Sequence, residues 1–141
     1  MSETIWVVCA FINVAIAVLH IYIIFAGAPA YDYYGAGDWM VSKAKEGSFI
    51  PAAITWAVTA VFFVFAGYSM AGANLIVMPY LFYGLAIITA LYLLRGSLIL
   101  AIPFMAQKLT KFDKVSTYIA FSIGLLHLLG LYYFYMDTRQ I

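Results

Sequence analysis

The side chains of this sequence best able to do chemistry away from water are two histidines, one arginine and a few tyrosines and threonines. His20, Arg95 and His127 each interrupt a long apolar run, and Thr55, Thr59, Thr89 and Tyr92 lie in runs of the same kind. An imidazole can move a proton or ligate a metal. A guanidinium recognises carboxylate or phosphate through a planar fork of donors. If the runs are helices, a rise of 1.5 Å per residue converts position into depth. Measured from the ends that meet lysine-bearing connections, His20 lies roughly 10 Å in, Arg95 about 12 Å and His127 about 18 Å. The threonines and Tyr92 fall at similar levels. The expectation is one ligand-binding cluster formed by His20, Arg95 and His127, with Tyr92, Thr55 and Thr59 beside them.

Helical spacing supports convergence. Asn13, Ala17 and His20 share a stripe, as do Ile88, Tyr92 and Arg95, with Gly84 one turn earlier, and Ala120, Gly124, His127 and Leu131. Small residues on these stripes let helices approach closely. Arg95 needs a partner, because an ionised group at membrane depth is costly unless paired or hydrated. No acid lies within the apolar runs, so Asp32 or Asp38 would have to fold back over it; otherwise water, helix carbonyls or a bound anion must serve. Each residue also has a plainer reading. Arg95 could snorkel to the headgroups, His20 and His127 could be interhelical hydrogen bonds, and the threonines could bond their own helix carbonyls.

The elements that must position these residues are long. The chain has 141 residues, 67% hydrophobic and 9% charged, against about 25% charged for ordinary soluble domains. Six acids and seven bases cannot cover the surface of so small a soluble chain, so lipid is the expected solvent. The expected fold is all-α: an integral membrane bundle of four transmembrane helices running up-down-up-down, as a single domain. Spans of about 5–27, 49–71, 79–103 and 115–135 each reach the roughly 20 residues a bilayer requires. Such runs are too long for barrel strands, and three spans plus a re-entrant segment, the alternative raised by Arg95 in the third run, is disfavoured because Leu98 to Ile102 continues apolar to Pro103. The first span follows Glu3 without a basic leader, which reads as a retained helix and not a cleaved signal.

The first connection, 28–48, carries Pro29, Gly35, Gly37, Gly47 and five charges. Within it, Asp38 to Glu46 predicts a short interfacial helix capped by Asp38 and seated on Trp39 and Met40. The second connection, Gly72 to Leu75, is a tight uncharged turn. Lys43, Lys45, Lys108, Lys111 and Lys114 fall on one side and only Arg139 on the other. The positive-inside rule therefore places loops 28–48 and 104–114 in the cytoplasm and both termini outside.

Several function classes recede. Net charge +1 offers no footprint for nucleic acid. A lone Cys9 excludes an internal disulfide and a cysteine-based zinc site, and no metal is expected. No zinc-type His-Glu-x-x-His spacing or serine elbow occurs, so the chain leans away from being an enzyme. No internal repeat of the kind found in transporters is present. Bis-histidine haem needs both imidazoles on one iron, and the estimated depths of His20 and His127 differ by about 8 Å. A haem or quinone electron carrier is thus disfavoured, and no cofactor is predicted. The remaining readings are a homo-oligomeric protein that binds or transports a small anionic ligand, or a subunit that packs against a partner membrane protein.

Three segments, Gly35-Ala36-Gly37-Asp38-Trp39-Met40, Gly47-Ser48 with Pro51-Ala52-Ala53, and Tyr92-Leu93-Leu94-Arg95-Gly96, resemble a group of uncharacterised small bacterial membrane proteins with four predicted spans. The likeness covers the chain up to about Pro103. It implies a bacterial inner-membrane protein and carries no activity with it.

Overall fold

The computed structural model describes residues 2–100, 102–105 and 110–138. The elements in chain order are α1 (Ser2–Ala26), α2 (Ala28–Tyr33), α3 (Asp38–Lys45), α4 (Ile50–Gly72), α5 (Leu81–Ser97), a 3-10 turn (Leu98–Leu100), α6 (Ile102–Met105) and α7 (Lys111–Thr138). No strand occurs among the described residues. Three helices, α1, α4 and α7, are long and apolar enough to cross a membrane, and α5 is a shorter apolar helix. Lys108 and Arg139, which enter the orientation count, lie outside the described residues.

The bundle is built from two tight pairs. α1 packs along α4, α5 along α7, and α1 also meets α7. Glycine decides how close α5 and α7 come. A Cβ placed on Gly96 would stand 2.5 Å from the Phe121 Cα, and one on Gly124 would stand 3.0 Å from the Leu93 backbone nitrogen. The backbones therefore touch, which only residues without side chains permit. Trp6 is fully buried with glycine on two sides: a Cβ at Gly72 would meet its ring at 2.8 Å and one at Gly130 at 3.0 Å. Around this clamp pack Cys9, Ala73 and Leu85.

Local chemistry explains the helix ends. Pro51 sits in the first turn of α4, where its missing N–H would be unpaired in any residue. α7 begins at Lys111, one turn earlier than the expected 115, because Thr110 and Asp113 close a reciprocal cap. The Asp113 N–H donates to Thr110 Oγ1 at 3.0 Å, and the Thr110 N–H donates to Asp113 Oδ2 at 2.9 Å. That pattern satisfies two of the orphan donors at a helix start. Thr110→Ala is expected to lower unfolding free energy by about 1 kcal/mol, measured by thermal denaturation in detergent; an unchanged midpoint would mean the cap is dispensable.

Three expectations change. The third apolar stretch is not helical up to Pro103: α5 ends at Ser97, and the chain passes into a 3-10 turn. Gly96 and Ser97 have weak helix propensity, and Pro103 withholds the N–H that a continuous helix would need. Arg95 consequently lies in the last turn of α5 and not two turns inside it. In the first connection, Asp38 is the first residue of α3 and Gly37 is its cap, with no side-chain hydrogen bond. Val41 is the buried residue of that helix, while Trp39 is 55% exposed. Finally, the α4–α5 connection extends over residues 73–80 and is not a four-residue turn.

The first connection also holds an additional short helix, α2, which starts at Pro29 and Ala28. Its Tyr31 packs with Ile23, Ala30 and Val41. At the end of α3, Glu46 accepts hydrogen bonds from Lys43 at 2.6 Å and Ser42 at 3.1 Å. The Lys43 bond, then the Ser42 bond, hold its carboxyl below the usual carboxylate range.

Candidate functional site

One polar side chain from each of the four longest helices meets at a single buried junction. Asn13 comes from α1, Ser69 from α4, Tyr92 from α5 and His127 from α7, and all four are buried. Tyr92 Oη donates to Asn13 Oδ1 at 2.6 Å. Asn13 Nδ2 donates to the Cys9 carbonyl at 2.9 Å and makes long contacts, both 3.5 Å, with Ser69 Oγ and His127 Nε2. Ser69 gives its own proton to the Phe65 carbonyl at 2.9 Å. His127 Nδ1 lies 3.0 Å from the Ile123 carbonyl, which can only accept. Nδ1 therefore carries a proton, and the Nε2 lone pair is what faces the Asn13 amide.

Aromatic faces seal this junction. The Tyr92 ring lies 5.1 Å from His127 at a 35° tilt, and Trp6 stands edge-on to His127 at 5.8 Å. The Trp6 indole nitrogen is the buried side-chain polar atom that lacks a hydrogen-bond partner among the described residues. The donors of the four junction residues point at one another or at helix carbonyls. In a low-dielectric interior, such a closed network ties helices together and leaves little for a ligand.

The other expected residues lie apart from the junction. His20 Nδ1 bonds to its own helix at the Ile16 carbonyl, 2.8 Å away, and the ring packs on Phe62 at 5.2 Å. Thr55 meets the Tyr31 hydroxyl at 3.1 Å and bonds the Pro51 carbonyl at 2.8 Å. Thr59 and Thr89 bond the carbonyls of Thr55 and Leu85 in their own helices. Among the described residues no group of three His, Cys, Asp or Glu is placed to hold a metal.

Arg95 makes a separate site at the end of α5. Its Nη1 donates to Thr117 Oγ1 at 2.7 Å and its Nη2 to Ser116 Oγ at 3.1 Å. Both hydroxyls give their own protons to the Asp113 carbonyl, at 2.8 and 3.1 Å, so their lone pairs are fixed toward the guanidinium. The Gly96–Phe121 contact brings the two helices close enough for this reach. Arg95 is exposed, and its described partners are neutral. The ion pair among the described residues is Lys43–Glu46. Asp32 and Asp38, the acids expected to face Arg95, line a surface cleft with Val41, Ser42, Lys45 and Glu46.

The arrangement thus separates two roles that the stripes on the sequence merge. Tyr92 and His127 belong to a buried junction centred on Asn13, and Arg95 belongs to an exposed cationic site with Ser116 and Thr117. Asn13 and Ser69 carry a signal legible in sequence, as amide and hydroxyl groups in uncharged spans. Ser116 and Thr117 do not, because their role depends on where α5 stops. The chain matches no protein-family model, no curated protein and no solved structure.

Proposed function

We propose that this chain is a four-span, up-down-up-down membrane bundle that binds an anionic, phosphate-class group at Arg95, Ser116 and Thr117. In this reading α5 and the turn after it make the third crossing. The lysine-bearing connections face the cytoplasm of a bacterial cell, an assignment that rests on their positive charge and on the resemblance to four-span bacterial proteins. The observation that carries the proposal is the state of Arg95. The guanidinium is held in place by two neutral oxygens, with no carboxylate in ion-pair range among the described residues. A guanidinium has five donors, and two are used, so three remain for a ligand. Lys111 and Lys114 in the first turn of α7, with Asp113 between them, leave that turn with one net positive charge.

The chemistry fits a lipid phosphate or a free anion equally, and two arms of one experiment separate them. Native mass spectrometry reads retention of phosphatidylglycerol against phosphatidylcholine, and calorimetry reads inorganic phosphate. Arg95→Gln is expected to weaken the binding partner about tenfold, the loss of about 1.5 kcal/mol from one charge-assisted hydrogen bond, with Arg95→Lys retaining part of it. Equal binding by wild type and Arg95→Gln in both arms would overturn the proposal.

A second reading, an assembly subunit packed against another membrane protein, is favoured by the closed junction at Asn13, which leaves its polar groups with structural work alone. A stoichiometric heterologous protein copurifying from native membranes supports it, and its absence under mild solubilisation counts against it.

A further inference from the structure

The connection between α4 and α5 has the chemistry of a lipid-seated segment and not of a loop in water. From Ala73 to Leu94 the sequence contains no Asp, Glu, Lys, Arg or His. Within the connection Leu75 is 64% exposed, Val77 97% and Tyr80 81%. Loops facing water are built mainly from turn-forming and polar residues, whereas this one runs Leu75-Ile76-Val77-Met78-Pro79-Tyr80.

Its path points the same way. Asn74 Nδ2 donates to Glu3 Oε1 at 2.8 Å, which fixes the start of the connection at the first turn of α1. The chain then turns back along α4. The Tyr68 hydroxyl donates to the Pro79 carbonyl at 3.3 Å, and Met78 lies against Gly67. Gly67 and Tyr68 precede the end of α4 by about 6–8 Å of helix. Leu85, one turn into α5, packs with Ala73 and Trp6, so α5 starts near the face that Asn74 marks. Its first residue follows Tyr80, a left-handed residue with φ 51°, and no side chain caps it. The unpaired N–H groups of that first turn need acceptors, which hydrocarbon cannot provide and the headgroup region can.

We infer that residues 75–80 are embedded in the lipid interface of the leaflet opposite the lysines. Leu75, Val77 and Tyr80 enter the acyl boundary, while lipid ester and phosphate oxygens accept from the start of α5.

The test places a nitroxide on Val77→Cys in the full chain, reconstituted in phosphatidylcholine–phosphatidylglycerol vesicles; the native Cys9 is buried. Collision with oxygen, which partitions into lipid, is compared with collision with a water-soluble nickel chelate. Labels at Ile87→Cys, on the exposed face of α5, and at Ser42→Cys, on the exposed face of α3, give the lipid and water references. The expected result is an oxygen-to-nickel ratio several-fold above that at position 42 and approaching that at position 87. A ratio equal to that at position 42 overturns the inference, and so does a label shielded from both reagents, which would place a second copy or a partner protein over the loop. The result is independent of whether Arg95 binds an anion.

Discussion

Gly96→Ala is expected to destabilise the protein by about 2–3 kcal/mol, an unusually large effect for adding one methyl group. The added carbon would lie 2.5 Å from the Phe121 Cα and 2.8 Å from its backbone nitrogen. Neither is the flexible end of a side chain, so α5 and α7 must separate as units. Separation also carries Arg95 away from Ser116 and Thr117, because these hydroxyls lie about one turn before Phe121 on α7. The measurement is a thermal or denaturant midpoint in detergent, read alongside anion binding. Both should fall. A Gly96→Ala protein with the wild-type midpoint would mean that the close backbone approach of α5 and α7 is wrong. Gly67 is the natural control, since a Cβ there meets only the end of Met78 at 3.8 Å.

Asn13→Leu should cost about 2 kcal/mol, for a different reason. Leucine keeps the branched outline of asparagine with bulkier ends, so the loss is chiefly one of hydrogen bonds, with a smaller overpacking cost. Tyr92 Oη loses its acceptor at 2.6 Å, and His127 Nε2 loses the donor that faces it. Each buried group left without a partner costs about 1–3 kcal/mol, and interhelical bonds measured in membranes fall toward the lower end. The check is a double-mutant cycle with Tyr92→Phe. If Asn13 is the centre of the junction, Tyr92→Phe costs much less in the Asn13→Leu background than in the wild type. Additive costs would show that the two side chains do not depend on each other.

These two predictions show where the sequence could be read and where it could not. The helical, lipid-solvated character follows from composition and run length alone, since so few charges leave no other way to cover the surface. The junction was half legible. Tyr92 and His127 stand out as polar groups in apolar runs. Asn13 shares a stripe with His20, but spacing cannot say which of the two reaches a neighbouring helix and which bonds its own backbone. In the structure His20 bonds the Ile16 carbonyl, and Asn13 gathers Tyr92 and His127.

Arg95 was misplaced by one assumption, that the helix continues to Pro103. Depth estimates inherit the error of the helix end they are counted from, and element ends are the least certain feature of a sequence reading. The weak helix formers Gly96 and Ser97 were the available warning. The Thr110–Asp113 cap has a sequence signature, a Thr-x-x-Asp pattern before an apolar run, which a start at 115 passes over. The return of residues 75–80 along α4 was not, because it depends on the Tyr68–Pro79 contact between elements.

We propose a division of labour, in which Arg95 recognises the anion and the buried junction only holds the helices. Its most direct test is phosphatidylglycerol retention by native mass spectrometry, measured in parallel for Arg95→Gln and Tyr92→Phe in folded protein. The account predicts about tenfold loss for Arg95→Gln and wild-type retention for Tyr92→Phe. Retention lost in Tyr92→Phe and kept in Arg95→Gln would contradict it and move the binding site into the core around Asn13.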